Sequence, residues 1–495
     1  MTGTAAGGGT PPAHPHDDPE VLSRVGWSLV AEPGDASAGA VVAALGAPVA
    51  LAWAAWAVGA GTDAALRRLR ALLRDESRRA GSPAAGPATE VPPGAWARVL
   101  ARALPRWAPR LADLEPRRAL DAVAAVGGTV LVPGRPGWPE RLDDLGPLVP
   151  PVLWVRGDRA ADVLLRHSVA VVGARAATPY GEHVARDLAA GLADRGVTVV
   201  SGGAFGIDVA AHRGAVLVGG LTVALLAGGV DRPSPAGNLD LLERLAVSGG
   251  ALVAESPPGT PPTRSRFLQR NRLIAAVTGA TVVVEAAWRS GALSTAARAG
   301  ELLRPVGAVP GPVTSMASAG CHRLLRDGAA VCVTGVDDVT ELLGGGWGPE
   351  PGRPHDGAVA GGGPDVLDLA GTAGGGDLVG AVGRAGPTDP PDPTGRTGRT
   401  GRTDSTGPPE RTDPTDRADS PASRVLDALP ARRPLGVPGL ARRTGLAEEE
   451  VVAALGLLEL AGRAGRGDGG WRRTSRPAAR SAEVRGLAPS SRARG

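Results

Sequence analysis

From about residue 126 onward, short apolar runs recur at regular spacing, with helical stretches set between them. The runs are Ser168–Val172, Val197–Val200, Thr222–Leu226, Ala251–Ala254, Thr281–Glu285, Val306–Val309 and Ala330–Val333. Most are apolar throughout rather than on alternate residues, as strands covered on both faces are. Segments with helical patterning lie between them, at Tyr180–Arg195, Ile207–Val218 and Leu239–Val247. Strand and helix in alternation predict an α/β domain with a doubly wound, mostly parallel sheet over residues 126–343.

The flanks read differently. Residues 1–18 have the composition of a disordered segment. Residues 19–125 alternate Ala/Leu-rich helical stretches with the breakers Pro83, Pro92 and Pro105, which predicts a small helical domain. Its bulk comes from tryptophan, since seven of the ten Trp precede residue 160. Residues 344–420 are low in complexity and include three TGR units at Thr394–Arg402, as expected of a disordered linker. Residues 421–474 then hold three short helical patterns and a GDGGWRR turn, which together predict a winged helix. Residues 475–495 form a basic tail.

Composition narrows the function classes. The net charge is +4, and all 54 basic residues are arginine, so the pI of 10.1 overstates how basic the chain is. Local charge must carry any nucleic-acid argument. Two cysteines, Cys321 and Cys332, are too few for a disulfide scaffold or a zinc cluster. The N-terminus lacks a basic region followed by an apolar run, and Ala40–Ala60 is too rich in Ala and Gly for a membrane span. A soluble cytoplasmic protein is expected, without metal or cofactor.

Five stretches have the residue types for chemistry. In VAVVGARAATPYG, Gly173 allows close backbone approach, the following helix presents free N–H groups, and Arg175 is positioned to clamp a phosphate. In VVSGGAFGIDVAAHRGA, Ser201, Gly202 and Gly203 lead from a strand into a helix, again with N–H groups to offer. Asp208 and His212, four apart, share a helix face; lacking a third ligand, they fit capping and orientation better than a metal. LLAGGVDRPSPAGN repeats the Gly-Gly theme and places Asn238 near a helix start. Three such loops at strand ends converge where α/β sheets bind ligands. In TRSRFLQRNRLIAA, Arg264, Arg266, Arg270 and Arg272 flank Phe267, and no acid occurs between Ser256 and Val284. Cations interleaved with an aromatic suit single-stranded nucleic acid; a solvated basic loop with Phe267 in the core is the alternative. Finally, in VVVEAAWRSGALSTA, Glu285 ends a strand, and Ser290 and Gly291 open the next helix. Capping or loop bracing suits Glu285 at least as well as catalysis. There is no nucleophile elbow, no Ser/His/Asp order and no metal-ligand spacing, so no catalytic residue is assigned.

Taken together, VAVVGARAATPYG, SGGAFGIDVAAHRGA, RNRLIA, VVVEAAWRSGALSTA, VPGPV and GCHRLLRDGA resemble the DprA/Smf family of DNA-processing proteins over about residues 130–343. The resemblance implies a Rossmann-like domain that binds single-stranded DNA and passes it to the RecA recombinase during natural transformation. It also implies a homodimer formed through that domain. By position, the DNA-contacting residues would be Gly173, Arg175, Ser201, Gly202, Gly203, Phe267, Arg270, Asn271 and Arg272. Asp208, His212, Asn238, Glu285, Ser290 and Gly291 would brace the loops. The chain departs from the family pattern at Phe205, where Arg is usual, at Leu268 and Gln269, where Pro and a basic residue are common, and at His322 in place of Asn. Two rival readings are a nucleotide-processing Rossmann-like enzyme and a DNA-binding regulator that works through the winged helix. The first would need a PGGxGT-type loop, which the sequence lacks.

Overall fold

The computed structural model describes residues 17–79, 93–157, 159–344, 420–467 and 469–474. Residues 1–16, nearly all of the expected linker and the basic tail lie outside these. Nine strands form one sheet: β1 (Gly128–Leu131), β2 (Leu153–Arg156), β3 (Ser168–Val172), β4 (Thr198–Ser201), β5 (Thr222–Leu226), β6 (Ala251–Ala254), β7 (Ala280–Val283), β8 (Val306–Ala308) and β9 (Val331–Cys332). Their spatial order is β1-β2-β6-β5-β4-β3-β7-β8-β9. All neighbours from β6 to β9 pair in parallel, whereas β1 and β2 are antiparallel additions at one edge. The expected parallel sheet is present. The two antiparallel strands, β1 and β2, were not among the runs read from the sequence.

Alternate residues of each parallel strand enter different cores. On one face Ala170, Val172, Val200 and Val283 pack against Leu273 to Val277. On the other, Val169, Val171, Val199 and Val282 pack against Leu188, Leu192 and Ile207. Both sets are apolar, which is why the strands show no alternation in sequence.

Among the described residues, six helices precede the sheet: α1 (Pro19–Val30), α2 (Ala36–Leu45), α3 (Ala47–Ala60), α4 (Thr62–Arg79), α5 (Pro93–Leu111) and α6 (Pro116–Ala124). Asp18 caps α1, accepting from the N–H groups of Glu20 and Val21, so order begins within the segment read as disordered. Pro105 does not break its helix as expected. It lies inside α5, where burial of Leu100, Leu104 and Trp107 outweighs the hydrogen bond a proline forgoes. Trp27 meets Trp107 edge to face, with ring centroids 5.2 Å apart. The helical region also reaches the sheet, for Val25, Leu120 and Val123 share a core with Trp154, Leu226 and Leu242.

The sheet carries α7 (Ala161–Arg166), α8 (Pro179–Asp194), α9 (Ile207–Leu217), α10 (Leu239–Val247), α11 (Arg264–Val277), α12 (Ala292–Glu301), α13 (Ala319–Arg326) and α14 (Val336–Leu342). The C-terminal unit has α15 (Pro421–Ala428), α16 (Val437–Thr444), α17 (Glu448–Leu460) and a hairpin of β10 (Ala464–Gly467) with β11 (Gly470–Arg473). A bridge between Leu435 and Trp471 extends the hairpin, which completes a winged helix. Among the described residues, no helix is long and apolar enough to cross a membrane.

Candidate functional site

The chain enters the parallel sheet at β3, steps outward through β4, β5 and β6, and then returns to β7 on the opposite side of β3. That reversal splays the loops after β3 and β7 apart and opens a crevice at their C-terminal ends. A groove of about 1090 Å³ lies there, lined by Gly173 to Ala176 after β3, Ala204 after β4, Ala287 and Arg289 to Ala292 after β7, and the N-terminal half of α11. The Ala174 N–H donates to the Glu285 carbonyl at 2.7 Å and ties the two loops together.

The loop after β3 is braced from beneath. The Glu285 carboxylate is buried and accepts from the Thr178 N–H at 2.9 Å and from its hydroxyl at 2.6 Å. Glu285 therefore acts as a brace. It stands two residues beyond β7 rather than at its end, since the strand closes at Val283. A side chain at Gly173 would meet Ile207 at 2.5 Å, so this glycine serves close packing of the loop on α9 as well as lining the groove.

The loop after β4 surrounds a carboxyl of its own. Asp208, buried in the first turn of α9, accepts from the Gly202 N–H at 3.2 Å. Burial raises its pKa, and Arg270 opposes that rise. Ser201, Gly202 and Gly203 are buried and do not line the groove. They were expected to offer N–H groups to a DNA phosphate, and the Gly202 N–H is instead taken by the Asp208 carboxyl. A Cβ on Gly202 would overlap the Arg270 guanidinium, which donates to the Leu225 carbonyl at 2.8 Å. Asn238 is buried and donates to the Gly203 carbonyl at 3.0 Å, bracing the same loop.

The acid-free segment folds as α11, a mostly buried helix, and its arginines part ways. Arg264 is exposed and lines the groove. Arg266 is buried and donates to Glu32 from Nε at 3.0 Å and from a terminal nitrogen at 2.8 Å. Arg272 is 2% exposed, and one terminal nitrogen donates to both Glu255 oxygens at 2.7 and 2.9 Å. Arg272 therefore points into the protein, a correction to its assignment as a DNA contact. Asn271 lines the groove and donates to the Gly291 carbonyl at 3.2 Å.

Phe267 lies half-buried between two guanidinium groups, Arg175 at 4.3 Å and Arg270 at 5.9 Å from the ring centroid. Its ring thus orients cations. Burial lowers Arg270 to about 10, with Arg175 adding to the effect, and it stays charged at neutral pH. Arg175 is exposed and lines the groove. Ser290 accepts from the Ala292 N–H at 3.3 Å and shapes the opposite wall with Gly291.

Two groove cations were not singled out in the sequence. Arg289 is exposed beside Ser290, and its adjacency to a Ser-Gly loop after a parallel strand was the available signal. Arg473 comes from the winged helix, and nothing in its local sequence points to the groove. His212 takes no part: it is fully buried on α9, with Nδ1 2.7 Å from the Thr222 hydroxyl. Of the departures noted above, Leu268 lines the groove, Phe205 is exposed, and His322 pairs with the Gly311 carbonyl at 2.9 Å. Among the described residues, no cluster of His, Cys, Asp or Glu is placed to hold a metal ion.

Residues 129–344 match the family model of DNA recombination-mediator protein A, and residues 408–470 match that of the DprA winged helix domain. A DNA processing protein DprA sequence of Mycobacterium tuberculosis is 45% identical over 326 residues, covering 65% of this chain and 68% of that protein. Protein Smf of Escherichia coli is 40% identical over 221 residues, covering 45% of this chain and 58% of that protein. Among solved structures, DNA processing protein A of Streptococcus pneumoniae is similar with 24% identity and a TM-score of 0.47, covering 66% of this chain and 97% of its own. The winged helix, the parallel sheet and the sequence similarity agree, and the chain belongs to the DprA/Smf family of DNA-processing proteins.

Proposed function

We propose that this protein binds single-stranded DNA without sequence preference in the groove at the β3/β7 switch point, and does no chemistry on it. The observation that carries the reading is the groove's charge pattern. Arg175, Arg264, Arg289 and Arg473 are exposed along it, while the acids among its lining residues are Asp208, which is buried, and Asp427. Guanidinium groups track phosphates, and the Arg175 plane, held by Phe267, offers a stacking surface that any base can use. Gly173 and Asn271 line the same groove, and Arg270 sets the position of Phe267. Family membership supports the finer role: a cytoplasmic homodimer that delivers the strand to the RecA recombinase in DNA uptake and recombination.

The test is fluorescence anisotropy of a labelled dT oligomer and of a duplex of equal length, across a salt series. The expected result is preference for the single strand, with a log K against log salt slope that falls by about 1.4 when Arg175 and Arg289 are both replaced by Ala, at about 0.7 per phosphate contact. Equal affinity for duplex, or an unchanged slope, would overturn the reading.

A further inference from the structure

We infer that the winged helix forms one wall of the single-strand groove, with Arg473 as its phosphate-binding residue and Glu32 as the centre of a clasp that holds it in place. The inference rests on the single-strand reading above and assigns the winged helix a share in that site. Three independent contacts join the winged helix to the groove domain and to the helical region. The Asp427 carboxylate accepts from the Arg264 N–H at 2.9 Å, at the start of α11. Arg110 donates from Nε to the Arg442 carbonyl at 2.8 Å, and Arg266 donates to the Arg443 carbonyl at 3.0 Å. These two carbonyls belong to the last turn of α16, where helix carbonyls lack intrahelical partners. Arginine donors therefore complete the end of α16 by docking it.

Glu32 organises both donors. Its carboxylate accepts from Arg110 and from Arg266, and Gly445, in the left-handed conformation that ends α16, packs on its side chain. Burial alone would raise the Glu32 carboxyl, but Arg266 and Arg110 outweigh it and hold the group well below the usual carboxylate range. The clasp is thus a charged triad with backbone acceptors at its rim.

Docked in this way, β11 brings Arg473 to the groove's edge, with 45% of its side chain exposed. One terminal nitrogen donates to the Leu426 carbonyl and lies 4.0 Å from Asp427, which fixes the stem and leaves the rest of the guanidinium to face the groove. Asp427 is engaged by the Arg264 N–H, so it fastens the wall more than it repels a strand. The groove then has cations on both sides: Arg175 and Arg289 from the sheet loops, and Arg473 from the wing.

The experiment uses the full chain and the dT anisotropy series on wild type, Arg473→Ala, Glu32→Gln and the double variant. Arg473→Ala alters an exposed side chain, so its folding should be intact, and Arg473→Glu adds a charge reversal at the same place. Arg473→Ala is expected to reduce the salt slope by about 0.7 and to weaken binding about fourfold at 0.15 M salt, as the loss of one phosphate contact requires. Arg473→Glu should weaken it further. Glu32→Gln should lose at least as much as Arg473→Ala, and the double variant should bind no more weakly than Glu32→Gln alone. A slope unchanged in Arg473→Ala would overturn the inference. So would tighter binding by Glu32→Gln, because the winged helix would then be a lid, and so would additive losses in the double variant. If wild type itself fails to bind the single strand, the functional reading above falls first and takes this inference with it.

Discussion

Arg270 and Arg272 stand two apart in one acid-free run, and their surroundings give them different work. Arg272 is enclosed with Glu255, whose carboxyl is raised by burial, a rise that Arg272 opposes. Replacing Arg272 by Ala strands that carboxyl, and breaking a buried pair costs about 3–5 kcal/mol. Thermal melts should fall accordingly, while the salt slope of the protein that remains folded stays unchanged. Arg175→Ala should do the reverse, with melting unchanged and the slope reduced by about 0.7. His212 makes a third prediction at this scale. The Thr222 hydroxyl donates to the Val199 carbonyl at 2.7 Å, so it must accept from Nδ1–H, which leaves the buried Nε2 without a partner. Burial, with Arg270 nearby, lowers His212 to about 3. The unfolded chain, with His near its usual 6.5, binds the extra proton more readily. The His212 contribution to stability is therefore complete above about pH 6.5 and declines as pH falls from there towards about 3. His212→Gln should flatten that stretch of a stability-against-pH curve, and an unchanged curve would assign the decline to other groups. Residue types were legible in the sequence here and partners were not, since Glu32 lies 234 residues from Arg266.

At the scale of elements, the glycine loops after β3 and β4 were legible as strand-to-helix turns, and the strands they follow agree with the sequence reading to within a few residues at each end. What they cradle was not legible. Glycine-rich turns serve phosphates and close packing alike, and here the turn after β4 surrounds an aspartate while Gly202 leaves room for the Arg270 guanidinium. Gly202→Ala must displace that guanidinium. The expected outcome is a loss of about 1–3 kcal/mol in stability from overpacking, together with weaker binding to a dT oligomer because Phe267 loses one of its flanking cations. Full retention of both melting and binding would mean that Arg270 can relocate freely. The segment that became α11 misled for a related reason. A helix with arginines buried along it has no amphipathic stripe, so a solvated basic loop stood as the alternative to a nucleic-acid contact.

Among the described residues, contacts cross the regions that the sequence separated. Helices α1 and α6 complete a core beside β2, β5 and β6, and the winged helix docks on α5 and α11 through backbone carbonyls. A chain ending at residue 344 would leave Arg110, Arg266 and Glu32 uncovered. Its melting temperature should fall by several degrees, at about 2–4 °C per kcal/mol for a body of this size. An unchanged melting temperature would mean that the winged helix rests on the body without stabilising it. The parallel sheet and the winged helix were recognisable because their patterns depend on nearby residues. Their docking was not, since it runs through single arginines far apart in the chain.

By itself the sequence determined the parallel α/β sheet, the winged helix and the set of loops that could meet at one crevice. These follow from hydrophobic period and turn chemistry, which are short-range properties written in neighbouring residues. Only the tertiary structure decided which arginines face solvent. A guanidinium faces solvent or braces the core according to whether the fold encloses it with acceptors of its own. Glu32, Glu255 and Asp208 claim or crowd the arginines of α11 from positions far away in sequence. Arg175, Arg264, Arg289 and Arg473 are left exposed to the groove.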